Sequence, residues 1–250
     1  MELMALVGFA DIHCHALFAV DDGAHDEKAM HDMLDMAYSD GIRYICFTPH
    51  FKIYEFDNED EIQNQVDRIN RRFSLATAYA AENHPDMQLF LGNEIMSHAD
   101  VAESLFSGKC LFLNHTNHAL IEFEPGASEY DIENAVVRLL RKGVVPVIAH
   151  IERYSALVQK PSFASVLKEH GALLQVNARA VTKFKFGKIA RFLKLAFRKR
   201  LVDIVASDSH SCTGLPPVLS KAYAFISKKY GEDYAGEIFC KTPLAVILSE

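Results

Sequence analysis

The chain has 250 residues, half of them apolar, with a formal net charge of −7 and a mean hydropathy near zero, +0.02. That length suits one barrel-sized domain, and residues 1–250 are expected to form a single unit with no Gly/Pro/Ser-rich linker, repeat or low-complexity run. The acidic balance argues against a nucleic-acid partner, and no stretch reaches the ~18 uncharged apolar residues of a membrane span.

The N-terminal stretch 1–10 is apolar but carries Glu2 and no basic leader, so it reads as a strand over 6–10 and not as a signal peptide. It runs straight into Asp11-Ile12-His13-Cys14-His15. Side chains two apart on a strand share a face, so His13 and His15 point one way and Cys14 the other. The loop Val20-Asp21-Asp22-Gly23 follows, then a helix over 26–40 stopped by Gly41. A strand over 44–48 ends at Pro49-His50, and a long helix covers 60–82. A strand over 89–92 ends at Asn93-Glu94, and one over 119–121 ends at Glu122-Phe123-Glu124. A helix over 130–142 precedes a strand over 144–149 ending at His150, and a helix over 162–170 precedes a strand over 173–176 ending at Asn177. A helix over 189–200 leads to a strand over 202–207 that ends at Asp208-Ser209-His210. A helix over 216–230 and a helical tail from Asp233 complete the chain.

Continuous apolar runs suit strands buried on both faces, and regular strand–helix alternation implies parallel βαβ units. An open doubly wound sheet gathers ligands only at its switch point, whereas a barrel brings every strand C-terminus to one mouth. Six of the seven strand ends here offer a metal-type side chain, which favours a distorted α/β barrel of seven strands, a (β/α)7 TIM-like fold.

The candidate ligands are His13, His15, Asp22, His50, Glu94, His150, Asp208 and His210, with Glu122 or Glu124 as a further carboxylate. Spacing alone also allows Asp22 to be a turn residue before Gly23, and a strand-end carboxylate to cap the next helix. His25, His31, His84, His98, His115, His118 and His170 fall in helical or loop patterns. Imidazoles and carboxylates without thiolates point to Mn, Fe or Zn, and so many donors accommodate two or three divalent ions. The five cysteines form no Cys-x-x-Cys pair, as expected for free thiols in a reducing cytoplasm. None has an Arg six positions later, which disfavours the cysteine route to phosphate-ester hydrolysis. Lys183, Lys185, Lys188, Arg191, Lys194, Arg198, Lys199 and Arg200 form an acid-free basic stretch: a solvated helix face, or a docking surface for an acidic or phosphorylated partner.

Taken in order, Asp-Ile-His-x-His, Asp-Asp-Gly, Thr-Pro-His, Gly-x-Glu, Leu-Ile-Glu-Phe, Ile-Ala-His-Ile-Glu-Arg-Tyr and Ala-Ser-Asp-x-His resemble the PHP (polymerase and histidinol phosphatase) superfamily. More narrowly they resemble the bacterial manganese-dependent tyrosine phosphatases of capsule and exopolysaccharide clusters. The resemblance spans nearly the whole chain. It implies a trinuclear site on His13, His15, Asp22, His50, Glu94, Glu122, His150, Asp208 and His210, selecting Glu122 over Glu124. It also implies Mn as the favoured ion, Arg153 as a phosphate-binding residue, and the phosphotyrosine tail of a polysaccharide-synthesis autokinase as partner. Where those phosphatases carry a second phosphate-binding Arg in a Gly-Arg-Pro-Pro context, this chain reads Gly214-Leu215-Pro216-Pro217. The reaction expected is hydrolysis of a phosphomonoester by ion-activated water. The competing expectations are a small-molecule phosphatase of the histidinol-phosphatase kind and a non-catalytic metal-binding regulator. An amidohydrolase would place a bridging Lys at a middle strand end, where this chain has Glu94, Glu122 and His150.

Overall fold

The computed structural model describes residues 8–249; residues 1–7 and Glu250, and with them the start of the expected first strand, lie outside that range. Nine strand segments follow in order: β1 Phe9–Cys14, β2 Ile42–Phe47, β3 His50–Phe51, β4 Gln88–Leu91, β5 Glu94–Met96, β6 His118–Glu122, β7 Val145–Ile148, β8 Leu173–Asn177 and β9 Ile204–Ala206. Every pairing is parallel, in the orders β1-β2-β4 and β3-β5-β6-β7-β8-β9. β2 and β3 are two halves of one strand broken at Thr48-Pro49, and β4 and β5 two halves of another broken at Gly92-Asn93. Counted as units, the strands among the described residues number seven, as the sequence implies.

The breaks have a local cause. Pro49 has no N–H to give to a ladder. Asn93 covers the gap: its amide donates to the Pro49 carbonyl at 2.8 Å and its side-chain oxygen accepts from Leu111 N–H at 2.9 Å. The ring closes between the first and last strands. Cys14 bridges Ser209, His15 N–H donates to the Ser209 carbonyl, and Asp208 N–H donates to the His13 carbonyl, each at 2.9 Å. The result is a distorted seven-stranded TIM-like barrel.

The helices are α1 Glu27–Ser39, α2 Glu59–Asn83, α3 Val101–Phe106, α4 Glu129–Arg141, α5 Ser155–Gln159, α6 Phe163–His170, α7 Ala178–Lys183, α8 Gly187–Arg198, α9 Ser220–Tyr230, α10 Glu232–Gly236 and α11 Thr242–Leu248. Start signals are literal in several: Asp26 accepts from Ala29 N–H at 2.8 Å, and Ser128 with Asp131 forms a capping box on α4. Two expectations are corrected. The helix expected over 216–230 begins at Ser220, because Pro216 and Pro217 stay in the preceding loop. His118, expected in a loop, opens β6.

Two apolar layers hold the barrel. Ile12, Cys46, Leu120, Val147 and Ala206 fill its interior, joined by Val246 and Ile247 of α11. Asn114 donates to the Ile247 carbonyl at 2.7 Å, which ties α11 to the side where β6 begins. Met30, Leu34, Ile69, Val136, Leu167, Phe192 and Ile226 bury the helix faces against the strands. Each such side chain contributes about 1.5–3 kcal/mol of apolar transfer.

Candidate metal centre

At the strand C-termini the barrel brings the expected donors together. β1 reaches the mouth through a bulge: Asp11 and Cys14 lie opposite Ile45 and Phe47, so three steps of β1 face two of β2. Ile12 thereby stays in the inner core and Cys14 in the outer one, while His13 and His15 both face the mouth. His50 opens β3 and pairs in register with Glu94 at the start of β5, and Glu122 ends β6. His150 and Asp208 follow β7 and β9 with positive φ, 29° and 54°. A left-handed non-glycine backbone is uncommon and strained, and here it turns two side chains into the mouth.

The donors form three overlapping groups: His13, His15, Glu94 and Asp208; His15, Asp22, His50 and His210; and His50, Glu94 and Glu122, each with its donor atoms within 4.8 Å of one another. His150 adjoins them, its Nε2 lying 2.7 Å from Glu94 Oε1 and 3.3 Å from Glu122 Oε1. All nine expected donors therefore converge. Glu124 is exposed and outside the groups, and the remaining histidines also lie outside them. His84 and His170 instead pair with Asp35 at 2.7 Å and Glu133 at 2.9 Å.

The packing fits cations. His13 Nε2 and His15 Nε2 face each other at 3.2 Å. Glu94 Oε2 is buried without a hydrogen-bond partner, although His50 Nδ1 lies 3.0 Å away, His13 Nε2 3.2 Å and His15 Nε2 3.3 Å. Lone-pair atoms crowded in this way without hydrogen-bond direction need positive charge between them. Electrostatics agree. Burial alone would raise the Glu94 pKa, but His13, His15 and His150 outweigh it and hold the carboxyl well below its ordinary value. Burial opposes a charged His15, yet Asp21 and Glu94 drive its pKa well above the usual one. His150 is raised to about 9, with Glu122 and Glu94 overriding burial. Protons and metal ions compete for such a place.

Four supporting residues escape a reading by motif. Asp21, the other half of the Asp-Asp pair, accepts from His15 Nδ1 at 2.7 Å and from His50 N–H at 3.1 Å. Gln175 Oε1 accepts from His150 N–H at 2.7 Å and lies 3.2 Å from His13 Nδ1. Gln175 Nε2 donates to Asn177 Oδ1 at 2.9 Å, and Asn177 Nδ2 donates to Asp208 Oδ2 at 2.6 Å. The end of β8, which offers no donor of its own, thus orients three that do. The Tyr154 hydroxyl lies 3.3 Å from His150 Nδ1 and accepts from Phe123 N–H at 3.1 Å. The doubled Asp and the polar Gln175-Val176-Asn177 inside an apolar strand were the available signals. Gly23 is fixed by space: a Cβ there would sit 1.8 Å from the His15 carbonyl oxygen.

Arg153 sits on the rim, its side chain 41% exposed, with Nη2 against Asp208 Oδ2. It does not pair with Glu152, which is buried and pushed up to about 7 by desolvation. Leu215 is held by its backbone, its carbonyl accepting from His210 N–H at 2.9 Å. Cys14, Cys46 and Cys110 are buried, and burial pushes their thiols far up, so none is a thiolate nucleophile.

A parallel α/β barrel with a His/carboxylate cage at its mouth is the framework of a metal-dependent hydrolase. The chain belongs to the CpsB/CapC family of capsular polysaccharide synthesis, whose family model matches residues 9–248. It is 34% identical over 245 residues to the tyrosine-protein phosphatase CpsB of Streptococcus pneumoniae, covering 96% of this chain and 98% of that one. It is 32% identical over 225 residues to the tyrosine-protein phosphatase YwqE of Bacillus subtilis, covering 89% and 85%. Among solved structures it matches those of YwqE from Bacillus subtilis and CpsB from Streptococcus pneumoniae, described as unique metal-dependent tyrosine phosphatases. The TM-score is 0.82 at 26% identity, covering 95% of this chain and 94% of the other. A dihydropyrimidinase of Brevibacillus agri shares the fold alone, with a TM-score of 0.54 at 11% identity and coverage of 98% and 72%.

Proposed function

We propose that this protein is a metal-dependent phosphomonoester hydrolase acting on phosphotyrosine in the tail of a polysaccharide-synthesis autokinase. The observation that carries the reading is the convergence of nine His, Asp and Glu donors beside an exposed arginine. In this reading His13, His15, Asp22, His50, Glu94, Glu122, His150, Asp208 and His210 hold two to three divalent ions. Imidazole and carboxylate donors without thiolate suit Mn best and admit Fe or Zn. When bound, such ions lower the pKa of coordinated water to make a nucleophile and neutralise phosphate charge.

The chain's own residues do the rest. Arg153 presents a planar fork of donors to the non-bridging oxygens of the phosphate. Asp21, Gln175 and Asn177 fix the orientation of His15, His13, His150 and Asp208. A tyrosyl leaving group has a pKa of ~10 and departs without a strong general acid. Residues 1–250 act as one domain in the cytoplasm; among the described residues no helix is long and apolar enough to cross a membrane. The test is turnover of a phosphotyrosine peptide by Mn-loaded protein, with and without EDTA, and by His150→Ala. Activity that survives complete metal removal sinks the reading.

A further inference from the structure

The protein is acidic overall, yet residues 179–200 contain nine cations and no acid. They are Arg179, Lys183, Lys185, Lys188, Arg191, Lys194, Arg198, Lys199 and Arg200, and all nine are exposed. Among the described residues none of the nine forms an ion pair with a carboxylate, whereas Lys28, Arg43, Lys109, Lys160 and Lys168 all do. A solvated helix face in an acidic protein would carry intermixed signs and local pairs. This surface is left uncompensated.

Its position is informative. Arg179 and Lys183 line a cleft with Glu152, Arg153 and Asn177, walled by Phe184, Ile189 and Leu215. Arg153 and Asn177 both reach Asp208 Oδ2, so the floor of this cleft is the edge of the candidate metal centre. Arg179 is pinned there, its Nη1 donating to the Gly214 carbonyl at 3.0 Å, one residue before Leu215. On the same helix α8, Lys188 and Arg191 line a second cavity with Val158, Gln159 and Phe192. A track of positive charge therefore runs from the mouth along α7 and α8. Next to the rim arginine the apolar wall matches an aromatic ring, and the cations farther out match carboxylates in the same chain.

We propose that this track is the substrate-docking surface and selects an acidic polypeptide segment. Phe184, Ile189 and Leu215 take the tyrosyl ring, while Arg179, Lys183, Lys188 and Arg191 take acidic side chains flanking it. The inference rests on the phosphatase reading above and adds the sequence context of the substrate. The cations are solvent-exposed, so their attraction acts on encounter and is screened by salt, with a Debye length of about 8 Å at physiological ionic strength.

The experiment compares three phosphotyrosine peptides, flanked by Glu, by Gln or by Lys, on wild-type protein and on Lys188→Glu/Arg191→Glu. Wild type is expected to favour the Glu-flanked over the Gln-flanked peptide about tenfold in kcat/KM at low salt, with the advantage shrinking by 0.5 M NaCl. The double variant is expected to lose that preference and to favour the Lys-flanked peptide. Binding of the unphosphorylated Glu-flanked peptide, followed by fluorescence anisotropy on metal-loaded protein, reads the docking surface without catalysis. Equal kcat/KM for all three peptides on wild type, or equal anisotropy binding in both proteins, overturns the proposal. Vesicles of phosphatidylserine that bind wild type but not the double variant, with peptide preference unchanged, also overturn it and assign the surface to a membrane. Failure of the phosphatase reading is a separate result: no turnover of any peptide by Mn-loaded wild type, whatever the anisotropy shows.

Discussion

Replacing Gln175 by Leu removes one buried amide and disturbs three donors at once. Gln175 is fully buried. Its oxygen serves His150 N–H and faces His13 Nδ1, and its nitrogen holds Asn177 against Asp208. Leu keeps the approximate volume but leaves the His150 N–H without a partner, which costs about 1–3 kcal/mol of stability. Partners that orient metal ligands are worth roughly 10–100-fold in metal affinity, or about 1.4–2.8 kcal/mol. Gln175→Leu is therefore expected to raise the Mn concentration for half-maximal phosphatase activity by 10–100-fold. Its Tm should fall further in saturating Mn than in EDTA, because it loses both intrinsic and ion-linked stability. Calorimetric Mn titration and thermal unfolding, each with and without EDTA, measure the two parts. Wild-type Mn affinity in a folded Gln175→Leu protein would falsify the view that this strand end orients the cage.

Leu215→Arg places a guanidinium in the cleft that Arg153 lines. A second phosphate clamp is expected to raise kcat/KM for phosphotyrosine peptides by about tenfold or more; an unchanged value means another cation already meets that phosphate oxygen. Glu152→Gln tests a buried carboxyl whose pKa rises from 4.5 to about 7 through burial. Because the folded value lies above the unfolded one, its neutral form favours folding fully below about pH 4.5, and that contribution is lost as pH rises through about 7. The metal-free protein should therefore lose about 3 kcal/mol across this window through Glu152. Urea unfolding of Glu152→Gln in EDTA should show a correspondingly flatter pH dependence, and an identical slope in both proteins refutes the assignment.

The strand-end donors were legible because two simple periodicities coincide with the fold. Continuous apolar runs marked buried parallel strands, and i, i+2 spacing placed His13 with His15. The choice between Glu122 and Glu124 was not legible from spacing, since it depends on β6 ending at Glu122. Asp21 and Asp22 looked alike in one loop, yet one supports His15 and His50 from below and the other faces His50 and His210 at 3.5 Å. Gln175 and Asn177 read as the end without a ligand, because a supporting role depends on what lies across the barrel. α3, α5 and α7, at five or six residues each, are too short to display a helical period. The broken strands at Pro49 and Asn93 were visible as residues but not as a change of sheet.

The seam between β1 and β9 sets the order in which this protein can become active. His13 and His15 stand far from Asp208 and His210 in sequence, and the hydrogen bonds of the seam span separations as large as 196 residues. A chain lacking β9 has a ring with a gap and an incomplete cage, so the nine donors come together only once β1 and β9 have met. An ion held in that cage would be a clasp between the first and last strands of the ring, and whatever withdrew it would loosen the barrel first along that one line.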